Sequence, residues 1–379
     1  MPDFAKRALE LHETHHGKIG TAVKVPLETK EDLAVAYTPG VGAVSAAIAK
    51  DPSLARRYTM KANTVAVVTD GTAVLGLGDI GPEAALPVME GKVALFKHFA
   101  GVDAVPVCLD TKDPDEIVRI VKALAPGFGG INLEDISAPR CFEIEDRLAE
   151  ELDIPVLHDD QRGTATVVLA GLINALKVRG LAAVEARVVV SGAGAAGTAV
   201  AELLLAYGFA DVTVCDSRGV VSRGRADLNA PKRALAERTN PRDVEGGLAE
   251  ALRGADVFIG VSVQGALTAD LVRTMNPGPI VFAMANPEPE ILPGEAQAAG
   301  ASVVATGRSD FPNQVNNVLA FPGIFRGALD HGVRRFETSM LLRAAENLAA
   351  CVEEPSAEHI LPDPFDPRVV PAVAAAIRA

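Results

Sequence analysis

The chain has 379 residues, 49% of them hydrophobic, and a formal net charge of −13 at neutral pH, with a pI near 5.1 and a mean hydropathy of +0.21. That length is too great for one ordinary core and implies two or three domains, and the acidic balance argues against a nucleic-acid partner, which needs a basic face. Apolar runs fall short of the roughly 20 residues of a membrane span and the first seven residues lack an apolar signal core. The expectation is therefore a cytoplasmic protein with no membrane partner. The four cysteines, Cys108, Cys141, Cys215 and Cys351, are widely spaced, which points to reduced thiols and away from disulfides or zinc.

At the N-terminus, His12-Glu13-Thr14-His15-His16 has the two-histidine spacing of a zinc site. Gly17 ends that helix and no third ligand is evident, so a solvated terminal helix is the better reading. Tyr37 follows, one of three tyrosines, in Ala36-Tyr37-Thr38-Pro39-Gly40-Val41, where Pro39 and Gly40 fix a turn. Short apolar runs predict strands at 64–70, 73–77, 103–110, 130–134 and 155–159. Gly76-Leu77-Gly78-Asp79-Ile80-Gly81 has the dinucleotide glycine pattern but runs into Pro82, and its nearest strand-end acid is Asp110, 32 residues after Gly78; it is a poor nucleotide site. Lys92 lies in the apolar helix Met89 to Phe99, where burial is expected to lower its pKa and let it accept a proton near neutrality.

The strongest chemical signal is the pair of acidic clusters Asn132-Leu133-Glu134-Asp135 and His158-Asp159-Asp160-Gln161, 26 residues apart. Each closes a short apolar run. Stacked carboxylates repel one another, and a hard cation such as Mg²⁺ or Mn²⁺ supplies the missing counter-charge and keeps positions open for substrate. Helix-cap acids are the plainer alternative. Residues 163–179 then carry apolar positions at helical spacing and read as a linker helix between two α/β halves.

In the second half, strands are predicted at 186–191, 211–216, 256–262, 279–285 and 301–306, alternating with helices as in a parallel sheet. Gly192-Ala193-Gly194-Ala195-Ala196-Gly197 follows the first of these and opens a helix, and Asp216 ends the next strand 22 residues after Gly194. Gly192, Gly194, Ala195, Ala196 and Gly197 are thus the candidate pyrophosphate turn, with Asp216 for the ribose hydroxyls. Asp216 favours NAD; Arg218, Arg223 and Arg225 can neutralise a 2′-phosphate, which leaves NADP open. Five prolines from Pro355 to Pro371 predict a surface return before one last helix.

Taken together, these blocks resemble the malic enzymes in their short bacterial form. The resemblance runs in order through Tyr37 to Val41, Thr69-Asp70-Gly71, Gly76 to Gly81, Glu90-Gly91-Lys92 and both acidic clusters. It continues through Gly163-Thr164-Ala165, the dinucleotide turn, Ala285-Asn286-Pro287-Glu288-Pro289-Glu290 and the stretch Gly307 to Gly323. It implies an N-terminal α/β substrate and metal domain, residues 1–161, which also dimerises, then a Rossmann-type dinucleotide domain with C-terminal helices, residues 162–379. It further implies Glu134, Asp135 and Asp160 as ligands of Mg²⁺ or Mn²⁺, Lys92 as general base with Asp159 as its charge partner, and Tyr37 as general acid. Asn286 and Asn317 resemble the amides that hold the substrate carboxylates, with Asn316 beside them, and Asn286, Asp216 and Arg218 fall against the cofactor. The implied reaction is oxidative decarboxylation of (S)-malate to pyruvate and CO₂ with reduction of NAD or NADP, by a homodimer. A malolactic enzyme, a malate dehydrogenase without decarboxylation and an inactive nucleotide-sensing scaffold are the competing readings.

Overall fold

The structure is a computed structural model describing residues 3–74 and 76–378. Parallel strands dominate, as expected of β-branched runs buried on both faces. β1 (Thr64–Thr69), β2 (Asp103–Cys108), β3 (Gly130–Leu133) and β4 (Val156–His158) form a four-stranded parallel sheet in the order β2-β1-β3-β4. β5 (Arg187–Ser191), β6 (Asp211–Asp216), β7 (Gly219–Val220), β8 (Val257–Gly260), β9 (Ile280–Ala283) and β10 (Val303–Thr306) form a second sheet, ordered β10-β9-β8-β5-β6-β7. Only β7 runs antiparallel there. The expected strand at 73–77 does not form among the described residues: Val74 makes a single bridge to Gly78, because Gly71 and Gly78, at φ of 70° and 74°, turn the chain on either side of it. The position between them, Leu75, lies outside the described residues.

The helices are α1 (Phe4–His15), α2 (Lys30–Ala36), α3 (Val41–Lys50), α4 (Ala55–Tyr58), α5 (Pro82–Ala100), α6 (Pro114–Leu124), α7 (Arg140–Glu151), α8 (Thr164–Arg179) and α9 (Ala195–Tyr207). After these come α10 (Ala230–Arg238), α11 (Leu248–Leu252), α12 (Ala269–Thr274), α13 (Pro293–Ala298), α14 (Phe321–His331), α15 (Thr338–Ala350) and α16 (Val369–Ala376). α8 is the expected connecting helix, buried continuously from Ala165 to Leu176. Phe96 of α5 packs edge-on against Phe321 and Phe325 of α14, with ring centroids 4.7 and 5.4 Å apart. That geometry is favourable beyond simple burial, and it returns the end of the chain to the first sheet. A single apolar cluster consequently runs from Val65 and Phe96 through α8 to Phe282 and Leu348.

The N-terminal segment is different. None of α1, α2 or α3 buries a residue. By length and composition Lys30–Lys50 does reach what a membrane crossing needs, against the shortfall expected from the sequence, because two short apolar helices read as one run. All four cysteines are free thiols, as expected.

Candidate active site

Strand register brings the acidic clusters together. Leu133 pairs with His158, so the residues that follow β3 and β4 emerge side by side at the C-terminal edge of the sheet. Asp135 adopts φ 53°, a left-handed conformation that Asp tolerates better than most residues, and its N–H donates to Asp160 Oδ2 at 2.8 Å. One carboxylate oxygen from each of Glu134, Asp135 and Asp160 lies within 4.8 Å of the others. Three oxygen donors so grouped suit a hard divalent cation. The chain leaves β4 through a wide turn, Asp159–Gly163, in which a Cβ on Gly163 would stand 1.8 Å from Asp159 Oδ1. A side chain there would have to displace the carboxylate.

α5 carries Lys92 to the same place. Its Nζ lies 2.6 Å from Asp159 Oδ2, 2.8 Å from Glu134 Oε1 and 4.2 Å from the centroid of the Phe321 ring. Asp159 is thus the partner of Lys92, and Glu134 is a second one; Asn132 Nδ2 donates to the other Glu134 oxygen at 2.8 Å. Burial acts to lower the pKa of Lys92, but the charges of Asp159, Glu134 and Asp160 outweigh it and hold the ammonium above the ordinary lysine value. The downward shift expected from the sequence is therefore corrected: in this helix burial comes with charge partners at contact distance. Burial pushes Glu134 and Asp159 upward, against the pull of Lys92. Four carboxylates face one ammonium, an excess of negative charge that a bound dication would answer.

The second sheet supplies the opposite wall. Gly192, at φ 117°, has no room for a side chain, since a Cβ would meet Val261 O at 2.5 Å, and one on Gly197 would meet Gly192 O at 1.7 Å. At Gly194 the same space is open, and the N-terminus of α9 begins at the next residue. That open, backbone-lined approach to a helix N-terminus fits a pyrophosphate. Gly194, Ala195, Ala196, Lys92, Glu134 and Asp160 line one cleft of about 1090 Å³. Asn286, Asn316 and Asn317 line it too, although Asn316 Oδ1 is turned to the Val318 N–H at 3.0 Å. The Gly76–Gly81 turn belongs to the first sheet's half and comes so close that a Cβ on Gly76 would meet Asn286 O at 2.7 Å.

Other predicted residues are placed less simply. Asp216 ends β6 but does not stand alone: Arg225 Nη1 and Lys232 Nζ donate to it at 2.7 and 2.6 Å, and the Arg218 N–H at 3.0 Å. Burial would raise its pKa, yet those hydrogen bonds bring it down to about 2. The Arg218 guanidinium turns to Asp227 and Arg223 to Glu237 and Asp243. His12 sits 4.0 Å from Glu90 and takes no part in the acidic triad. Tyr37 is 68% exposed and does not line the cleft.

Sequence reasoning missed three polar residues. Lys18 lines the cleft, its N–H donating to Glu90 Oε2 at 3.0 Å and its Nζ to Pro87 O at 2.7 Å; burial lowers its pKa while Glu90 opposes the shift. Lys232 reaches Asp216 from α10, sixteen residues on, and nothing in its local sequence distinguishes it. Glu290 is fully buried and accepts from Ser262 N and Oγ and from Ala285 N at 2.8, 3.0 and 3.0 Å, which ties together the loops after β8 and β9. Its place in the Asn286–Glu290 block was the available signal.

A Rossmann-type sheet and a carboxylate triad opening into one cleft define a dinucleotide-dependent oxidoreductase with a cation site. The comparisons with known proteins narrow that class. Residues 16–149 match the malic enzyme N-terminal domain and residues 161–377 the malic enzyme NAD binding domain. A bifunctional malic/malolactic enzyme of Bacillus subtilis is 56% identical over 98% of this chain and 92% of its own length. An NADP-dependent malic enzyme of Rhizobium meliloti is 49% identical over 98% of this chain, which spans 51% of that longer protein. The crystal structure of the NAD-dependent malic enzyme of Thermotoga maritima superposes with a TM-score of 0.96 at 50% identity, covering 98% of this chain and 99% of the other. The chain belongs to the malic enzyme family.

Proposed function

We propose that the protein oxidatively decarboxylates (S)-malate to pyruvate and CO₂, reducing NAD or NADP, with a divalent cation held by Glu134, Asp135 and Asp160. The observation that carries this reading is the convergence of Lys92, the three carboxylates and the open Gly194 turn on one cleft. Residues 1–161 serve as the substrate domain and 162–379 as the dinucleotide domain. The assembly is a homodimer, in line with the unburied apolar N-terminal helices, and free thiols suit the reducing cytoplasm.

Asn286 and Asn317 hold the substrate carboxylates by amide hydrogen bonds, and Lys18 adds a cation at the cleft wall. When bound, the cation would draw electron density from the C2 oxygen and the nicotinamide would take the hydride. Lys92 accepts the C2 hydroxyl proton, positioned by Asp159. The charges that hold Lys92 protonated are the ones a dication answers, so its role as base belongs to the loaded site. After CO₂ departs, Tyr37 delivers a proton to C3 of the enol of pyruvate. Asp216, Arg225 and Lys232 form the ribose end, where the acid's charge is already met by two cations.

The test is the purified protein assayed with malate, Mn²⁺ and either NAD or NADP, following reduced nicotinamide and CO₂ together. Reduction with equimolar CO₂ is expected; reduction without CO₂, or neither, would overturn the reading. A second reading, release of lactate without net cofactor reduction, is favoured by the likeness to the bifunctional malic/malolactic protein. Lactate and pyruvate measured in the same reaction separate the two.

A further inference from the structure

Glu290 is a fully buried carboxylate to which the proposed chemistry gives no task. It closes the block Asn286-Pro287-Glu288-Pro289-Glu290 after β9, where each proline withdraws a backbone donor and favours extended backbone before it. Glu288 of the same block turns outward to Arg308 at 2.9 Å, and Glu290 turns inward. Its partners among the described residues are three neutral donors and no cation: the Ser262 N–H and hydroxyl on Oε1 at 2.8 and 3.0 Å, and the Ala285 N–H on Oε2 at 3.0 Å. A buried charge without a counter-ion is costly and persists only where donors are aimed at it. Gly260 ends β8 against this group, and a Cβ there would stand 2.4 Å from Glu290 Cδ. The strand thus has no side chain where the carboxylate sits.

Ser262 and Ala285 line the cleft, and Glu290 behind them does not. Ser262 Oγ also meets Ser191 Oγ at 3.2 Å, and the Val261 N–H donates to Ser191 O at 2.9 Å. Ser191 closes β5 immediately before the Gly192–Gly197 turn. Through Ser262, one oxygen of Glu290 is therefore linked to the wall that suits the dinucleotide; through Ala285, the other is linked to Asn286. The backbone of the block adds two ties to the loop after β8, from the Leu267 N–H to Glu290 O at 3.2 Å and from the Gly265 N–H to Pro289 O at 3.4 Å. The ends of β5, β8 and β9 are joined through this one side chain. Glutamine fills the same space but offers one acceptor and one donor, so an N–H₂ group would face either the Ser262 or the Ala285 N–H.

We propose that Glu290 is a positioning residue for hydride transfer: it holds the dinucleotide wall and the Asn286 amide in one alignment, acting through Ser262 and Ala285 from outside the cleft. This rests on the proposed oxidation of malate, and the wild-type protein assayed in parallel separates the two claims. A misplacement of about 1 Å costs on the order of 100-fold in rate, and such a loss falls on kcat and kcat/KM together. With malate, Mn²⁺ and either nucleotide, Glu290→Gln should lose about 10- to 100-fold in kcat. The KM for malate, and the Kd of the reduced nucleotide followed by its fluorescence, should stay within about 3-fold of wild type. Amide hydrogen exchange should quicken about 10-fold at residues 261–264 and 284–286 and stay unchanged in the other strands of the second sheet. Ser262→Ala keeps the N–H to Glu290 and removes the hydroxyl that reaches Ser191; it should lose roughly 5-fold in kcat with the same unchanged binding, and it carries the test if Glu290→Gln fails to fold. A kcat within about 2-fold of wild type in the folded variants would overturn the proposal, as would a raised KM or Kd with kcat held. So would exchange quickened throughout the chain with a fall in kcat that matches the folded fraction, since Glu290 would then serve stability alone. Failure of the wild-type protein to oxidise malate would overturn the reaction itself, whatever the variants do.

Discussion

Asp160 is the most open carboxylate of the triad, with 32% of its side chain exposed, and its Oδ2 already accepts the Asp135 N–H. Asp160→Asn preserves size and that hydrogen bond but removes one charge from the donor set. The Mn²⁺ concentration giving half-maximal activity should rise at least ~10-fold, read by metal titration at saturating malate; an unchanged requirement would move the cation elsewhere. Lys18 is the one cleft lysine not paired with a carboxylate through its Nζ. Lys18→Met should raise the KM for malate about 10-fold, the loss of a charged contact of ~1.4 kcal/mol, with a smaller change in kcat. A fall in kcat alone would place Lys18 in the chemistry, not in binding. Lys92 shows why residue-level reasoning stopped short. The apolar helix around it made burial legible, but the direction of its pKa depended on Asp159 and Glu134, 67 and 42 positions away in sequence.

At the scale of elements, the turn between β4 and α8 carries Asp159, the partner of the base. Gly163→Ala should push the Asp159 carboxylate out of contact, costing about 2 kcal/mol as overpacking does and reducing malate oxidation with it. Urea unfolding and turnover measured on the same preparation check this, and no change in either would mean that the turn yields freely. The tether of the N-terminal segment has its own signature. Burial would raise the pKa of Asp103, but hydrogen bonds from Lys24, Lys97 and Asn63 lower it to about 2. A lowered carboxylate contributes stability above its unfolded value near 4 and loses it as pH falls toward 2. Asp103→Asn should therefore cost about 1 kcal/mol or less at pH 6, as partly exposed pairs do, and the gap to wild type should narrow below pH 4 and close near pH 2. A gap that does not narrow between pH 6 and pH 2 would assign the effect to packing. The strands were largely legible because β-branched runs between turn residues have few alternatives; among the described residues 73–77 failed because the flanking glycines, Gly71 and Gly78, at positive φ, turn the chain before a ladder can form.

For the whole molecule, the excess of carboxylate over ammonium in the cleft makes cation binding a stabilising event. Mn²⁺ at about 100 times its Kd should add ~2.7 kcal/mol of stability, seen as an upward shift in melting temperature that Asp160→Asn diminishes. Equal shifts in both proteins would place the ion on another acidic surface. The two sheets share one apolar cluster through α8 and α14, so this stabilisation should be felt across a single unfolding transition.

By itself, the order of residues determined most of the strands, the dinucleotide turn, the two acidic clusters and the family, because periodicity, glycine placement and ordered motifs are local properties. Only the tertiary structure decided that Lys92 is held protonated by two carboxylates, that Lys18, Lys232 and Glu290 belong to the site region, and that Tyr37 lies outside the cleft of its own chain. Those facts depend on distances between residues far apart in sequence. Charge interaction and steric fit act through space, and folding alone sets which groups meet.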